Sequence, residues 1–124
     1  MAASRVLLSV PDVGGNLYWS PDGSVFVTEG PENTGVIDVR DATTGASIRS
    51  FHGHDVDVND VAFSSDGSLA TVGDDGALRV WDPLTGELRF EHVAADPDTV
   101  VGPSFSPDGT MVAAWFADDV VRVF

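Results

Sequence analysis

The sequence predicts an all-β chain built from three copies of one unit, each copy a small antiparallel sheet of four strands. Three observations carry this reading. A five-residue segment recurs as Trp19-Ser20-Pro21-Asp22-Gly23, Phe63-Ser64-Ser65-Asp66-Gly67 and Phe105-Ser106-Pro107-Asp108-Gly109, with glycines 44 and then 42 residues apart. A second anchor keeps the same period: Val39-Arg40-Asp41-Ala42-Thr43-Thr44-Gly45 matches Val80-Trp81-Asp82-Pro83-Leu84-Thr85-Gly86, and Val123-Phe124 stands where a third copy would begin. Self-similarity at such a period marks a repeat architecture. Finally, no segment sustains a helical apolar period, whereas short alternating runs between turn signals do recur.

Taken in order, Arg5-Val6-Leu7-Leu8-Ser9-Val10 precedes the first copy and matches the fourth-strand positions Ser47-Ile48-Arg49-Ser50-Phe51 and Glu87-Leu88-Arg89-Phe90. The middle copy shows the unit most clearly. Val61-Ala62-Phe63 runs into Ser64-Ser65-Asp66-Gly67, where Asp can bond its own backbone and Gly supplies a positive φ. Ser68-Leu69-Ala70-Thr71-Val72 is the next strand, and Asp74-Asp75-Gly76 is a hairpin turn. Ala77-Leu78-Arg79-Val80-Trp81 alternates as a half-buried strand does. Asp82 to Gly86 turns again before the fourth strand. The third copy stops after its third strand, Val120-Val121-Arg122-Val123-Phe124. The copies span about residues 13–51, 56–90 and 100–124 of one unit, 1–124. Four short antiparallel strands per period describe a blade of a β-propeller.

At these residues the chain resembles the WD-repeat β-propeller family. The middle copy carries the signature: Gly53-His54, Val61 to Gly67, Asp74-Asp75-Gly76 and Val80-Trp81-Asp82. The resemblance implies that His54, Thr71, Asp75 and Trp81 form a buried hydrogen-bonded network that rigidifies the blade, and such groups need partners when buried. The flanking copies depart from the pattern. The first has Arg40 for Trp81, Thr34 for Asp75, and Val13-Gly14-Gly15 with no histidine before it. The third keeps Asp118, has Phe124 for the tryptophan, and has no recognisable motif after His92. The network is expected in one blade only.

Three blades cannot make a ring, since closed propellers use about 4–8. A lone chain would leave apolar blade faces and an open sheet edge in water. The first strand of each chain, with Val6, Leu7 and Leu8, is expected to complete the last blade of a neighbour beside Val121 and Val123. Two chains would give six blades, the preferred form, and three would give nine. The interface would be head-to-tail, with backbone hydrogen bonds across it. The alternative is a ring completed by missing blades, the chain being a portion of a longer propeller. Trp19, Phe63 and Phe105 hold equivalent inner-strand positions and are expected in the core between blades. Of Trp115 and Phe116, alternation sends one to each face, and Tyr18 is ambiguous.

Composition sets the function classes. The chain is 43% hydrophobic and 21% charged, as a folded protein is. With no cysteine it has neither disulfides nor a thiolate zinc site. Its 20 acidic residues face 6 basic ones, for a net charge of −14. That field repels phosphate backbones and anionic lipid, so neither nucleic acid nor membrane is expected as a partner. Met1 to Val10 lacks a signal-peptide core, and no apolar run is long enough to span a bilayer, so a cytoplasmic protein is expected.

His52-Gly53-His54 with Asp55 and Asp57 could hold a metal, but His54 already has a place in the blade and the chain has only 3 histidines. Asp55-Val56-Asp57-Val58-Asn59-Asp60 resembles the start of a calcium loop with Asp66 at its twelfth position, yet Asp60 stands where that loop needs glycine. Asp96-Pro97-Asp98 and Asp118-Asp119 add carboxylates without the paired geometry of a glycosidase. No nucleophile elbow, P-loop or dinucleotide glycine pattern occurs. No catalytic, metal or cofactor residue is therefore assigned. The expected function is a non-enzymatic interaction scaffold that binds a protein or peptide and assembles with itself. The alternative is a purely structural, engineered or truncated fragment whose only property is self-assembly; a calcium- or carboxylate-dependent ligand-binding propeller is the remote one.

Overall fold

The recurring Ser-x-Asp-Gly turns open each sheet with the same hydrogen bonds. Ser20 donates its hydroxyl to Asp22 at 2.8 Å and Asp22 accepts the Ser24 N–H at 2.9 Å; Ser106, Asp108 and the Thr110 N–H repeat this at 2.6 and 3.1 Å. Ser64, Asp66 and the Ser68 N–H form the third instance. The carboxylate mimics a backbone acceptor and locks the turn. The chain, in a computed structural model describing residues 5–11, 13, 15–95 and 98–124, forms eleven strands in three antiparallel sheets.

The first sheet runs β1 (Leu17–Trp19), β2 (Val25–Glu29), β3 (Val36–Asp41) and β4 (Ser47–His52), each strand beside the next. The second repeats the order as β5 (Val58–Phe63), β6 (Leu69–Gly73), β7 (Ala77–Trp81) and β8 (Leu88–Val93). The third has three strands, β9 (Val100–Phe105), β10 (Val112–Phe116) and β11 (Val120–Val123). Register makes the sheets comparable residue by residue. Leu69 faces Trp81 as Phe26 faces Arg40, and Thr71 faces Arg79 as Thr28 faces Asp38 and Ala114 faces Arg122.

Successive sheets pack face to face through two apolar layers. Val25, Val27, Ile37 and Val39 of the first sheet meet Val61, Leu69 and Trp81 of the second, with Tyr18, Phe51, Val58 and Phe63 at the margin. Ala70, Val72, Leu78 and Val80 then meet Val100, Val112, Ala114 and Phe116 of the third. Alternation explains the sorting: Leu69 turns one way, Ala70 and Val72 the other.

Three differences from the sequence reading are structural. Residues 5–10 form no strand, so the described chain has eleven strands and not twelve. A strand needs a neighbour's backbone groups, and the free edge of β11 belongs to the third sheet, separated from these residues by the second. Leu8 and Val10 instead approach Gly45 closely. Trp19 lies outside the inter-blade core at 57% exposure: its face is the one on which the described chain places no sheet, whereas Phe63 and Phe105 are half-buried against the two layers. The fourth strand of the middle copy extends to Val93, and its register aligns Ser47 with Leu88 and Phe51 with His92, the offset of the Gly45 and Gly86 anchor and one position from a pairing of Ser47 with Glu87. Trp115 is half-exposed and Phe116 buried, as alternation requires. Gly14, Asp96 and Pro97 of the sequence reading lie outside the described residues, as do residues 1–4 and Asp12.

Candidate functional site

The best-formed polar site lies in the second blade, on the face toward the first. β6 supplies Thr71, β7 supplies Arg79 and Trp81, their hairpin supplies Asp75, and the β4–β5 connection brings in His54. The Trp81 indole N–H donates to the Thr71 hydroxyl at 3.0 Å, and that hydroxyl stands 2.8 Å from His54 Nε2. His54 Nδ1 is 2.8 Å from Asp75 Oδ1. A carboxylate only accepts, so Nδ1 carries the proton and Nε2 takes the Thr71 hydroxyl proton. Asp75 also accepts the Asp55 N–H at 3.1 Å and Arg79 at 2.9 Å. Burial, opposed by Asp75, holds the imidazole pKa below its ordinary 6.5, so His54 is neutral. Burial would raise the Asp75 carboxyl, but hydrogen bonds from Arg79 and His54 outweigh it and hold that group at about 2.

All four residues assigned from the sequence resemblance thus meet in one chain of hydrogen bonds. Arg79 was not among them. Its guanidinium also donates to the Gly53 carbonyl at 3.0 Å and to Glu91 at 2.8 Å, tying the connection and β8 to the site. One signal was legible: Asp75 and Arg79 are four residues apart, as are Asp118 and Arg122, and the second pair bonds in the same way at 2.7–2.9 Å.

The third blade fills the same space with an aromatic ring in place of the imidazole. The Ala94 N–H bonds the Gly76 carbonyl as the Gly53 N–H bonds that of Gly35, which puts Ala95 at the position of His54. Register puts Phe116 at the position of Gly73, and a side chain at Gly73 would collide with His54. The phenyl ring replaces the imidazole, with the Arg122 guanidinium 4.8 Å above it and His92 packed edge-on at 5.5 Å. Phe124 takes the tryptophan position and rests on His92 at 4.7 Å, as Trp81 rests on Phe51 at 4.9 Å. In the first blade Arg40 occupies that position. It pairs with Asp38 at 2.7 Å and donates to the Gly45 carbonyl, while its buried Nε has no acceptor. Thr34 takes the turn position of Asp75, its hydroxyl bonding the Pro31 carbonyl.

The other acidic candidates serve local structure. Asp66 caps the Ser64 turn, and Asp60 accepts from the Tyr18 hydroxyl at 3.1 Å, so the supposed calcium positions face different partners. Tyr18 also reaches Glu29 of its own blade at 3.2 Å, and its bond to Asp60 joins the first and second blades. Burial, then the charges of Glu29 and Asp60, push the phenol well above its ordinary value of 10.0. Tyr18 is the sole tyrosine, so phenolate absorbance should stay flat through pH 10.0 in the folded protein and rise there once urea unfolds it. His52 Nδ1 lies 3.1 Å from the Thr34 carbonyl oxygen. Val6, Leu7, Val121 and Val123 are exposed, and Leu8 is at the margin of exposure. Among the described residues no group of three or more histidines or carboxylates is arranged to hold a metal, and no helix is long and apolar enough to cross a membrane.

Comparison with known proteins agrees with this architecture. Residues 45–82 match the WD domain, G-beta repeat family. That window runs from just before β4 through β7, so one sequence repeat joins the outer strand of one blade to three strands of the next. The chain is 33% identical over 117 residues to a guanine nucleotide-binding protein subunit beta of Arabidopsis thaliana, a match covering 91% of this chain and 29% of that protein. It is 34% identical over 88 residues to WD repeat-containing protein 90 of Mus musculus, covering 66% and 5%. A ribosome biogenesis protein, erb1, of Botryotinia fuckeliana is 37% identical over 73 residues, covering 56% and 10%. The chain thus spans less than a third of the length of these relatives. With a blade built on the His54–Thr71–Trp81 bonds, a repeated turn and these matches, the chain belongs to the WD-repeat family.

Proposed function

We propose that this chain is a non-enzymatic protein-interaction scaffold whose blades close into a ring with another copy, residues 5–10 supplying the outer strand of the neighbour's last blade. The observation that carries the reading is the place those residues take. Leu8 and Val10 crowd Gly45 as Arg49 of β4 crowds Gly86, and the same 37 positions separate Leu8 from Gly45 and Arg49 from Gly86. Residues 5–10 therefore lie against the first blade as β4 lies against the second, in the position of an outer strand. The outer edge of β11 offers backbone groups on which such a strand could pair.

The carboxylates support a binding role over a catalytic one, because many are committed to structure. Asp22, Asp41, Asp66, Asp82 and Asp108 cap turns, and Asp75 holds the network. Light scattering on a size-exclusion column tests the assembly. About twice the 13.0 kDa chain mass is expected for a six-bladed ring, and about three times for a nine-bladed one. Deleting Arg5–Val10 should reduce either to a monomer; an assembly of unchanged mass after the deletion sinks strand exchange.

A further inference from the structure

The outward face of the third blade repeats positions that are buried in the second. Register equates Ala113, Trp115, Val121 and Val123 with Ala70, Val72, Leu78 and Val80 of the second blade. Those four are 0–8% exposed beneath the third blade, whereas Trp115, Val121 and Val123 are 49–62% exposed. At the other end of the chain the relation is reversed. Leu17 and Trp19 hold the positions of Val61 and Phe63, which pack against the preceding blade; Val61 is 5% exposed and Leu17 is 51%.

We infer that these two faces are the halves of one heterologous interface between copies, with Trp115 of one chain buried in the same apolar layer as Trp19 and Leu17 of the next. The inference rests on the ring reading and adds the side-chain contact that would hold the ring. Each of the two interfaces within the chain joins unlike faces in the same sense. Val72 and Phe105 belong to one apolar cluster between the second and third blades. Trp115 stands at the Val72 position and Trp19 at the Phe105 position, so continuing the stack by one blade places both indoles in one apolar layer. A two-fold contact would set Trp115 against its own copy, an arrangement neither internal interface uses. The apolar character of both faces suits burial, and the occupant is a second copy because that copy carries the complementary positions.

Trp115→Asp and Trp19→Asp separate the two faces. Both side chains are half-exposed, so each variant should fold, as far-ultraviolet circular dichroism will check. Each alone is expected to be monomeric, because one face of every contact is lost. Mixed in equal amounts, they should recover a two-chain species, since the intact Trp115 face of one fits the intact Trp19 face of the other. A Trp19→Asp variant that keeps a two-fold dimer overturns the unlike-face contact. If the native chain assembles and falls apart on deletion of Arg5–Val10, but both tryptophan variants keep the native mass, this inference fails while strand exchange stands. A monomeric native chain overturns both.

Discussion

Gly35→Ala should lower the stability by about 3 kcal/mol or more, the largest effect expected of any added methyl group. Gly35 has φ 61°, in the left-handed region, and its carbonyl accepts the Gly53 N–H at 2.9 Å. A β-carbon there would stand 1.8 Å from the His54 carbonyl oxygen and 2.6 Å from that of Val56. Both obstacles are backbone, so relief requires the β4–β5 connection to move, and that connection places His54. Gly23→Ala is the control, because Gly23 has φ 70° with nothing within 4 Å of the added carbon. It should cost only the conformational strain, about 1–2 kcal/mol. Urea unfolding of both variants measures the difference, and equal midpoints would show that the close approach carries no energy.

His54→Ala should cost about 1–3 kcal/mol, because Thr71 and Asp75 lose partners in a buried setting. The third blade indicates how the loss can be repaired. Gly73→Phe alone should destabilise, because its β-carbon would meet the Asp57 carbonyl oxygen and the His54 ring at 2.6 Å each. Combined with His54→Ala it should cost less than the sum of the two changes, as Phe116 beside Ala95 suggests. Strict additivity would mean that the phenyl ring does not take the imidazole's room. The pH dependence has a definite sign. The native imidazole titrates below 6.5, so as pH falls through 6.5 the unfolded chain binds a proton first and stability declines, until the native group also protonates. A second decline follows from 3.8 to about 2 as Asp75 is titrated. His54→Ala should flatten the first limb and leave most of the second, because Arg79 still bonds Asp75. An unchanged profile near 6.5 would show that His54 does not carry it.

Much of the fold was legible because turns are local. Asp22, Asp66 and Asp108 each bond within two residues of themselves, so their spacing in sequence reports structure directly. The network residues were reached through the family motif, and Arg79 was missed because the motif alignment did not include it. The substitution of Phe116 for a histidine delivered by another segment was not legible. It couples Ala95 to Phe116, which meet only through the register of β10 on β11 and the hydrogen bond of Ala94 to Gly76.

The sequence alone determined the period, the strand-turn units and the residues able to form the buried hydrogen bonds of the second blade, since each depends on neighbours within one repeat. Tertiary structure alone decided which faces are covered. Trp19, Phe63 and Phe105 are equivalent in sequence, yet Phe63 and Phe105 pack against a preceding blade and Trp19 does not. The same holds for residues 5–10, which match the fourth-strand positions in sequence but lie beside Gly45 without a paired edge. Burial and strand pairing belong to two segments at once, and a single segment's pattern states only its own half.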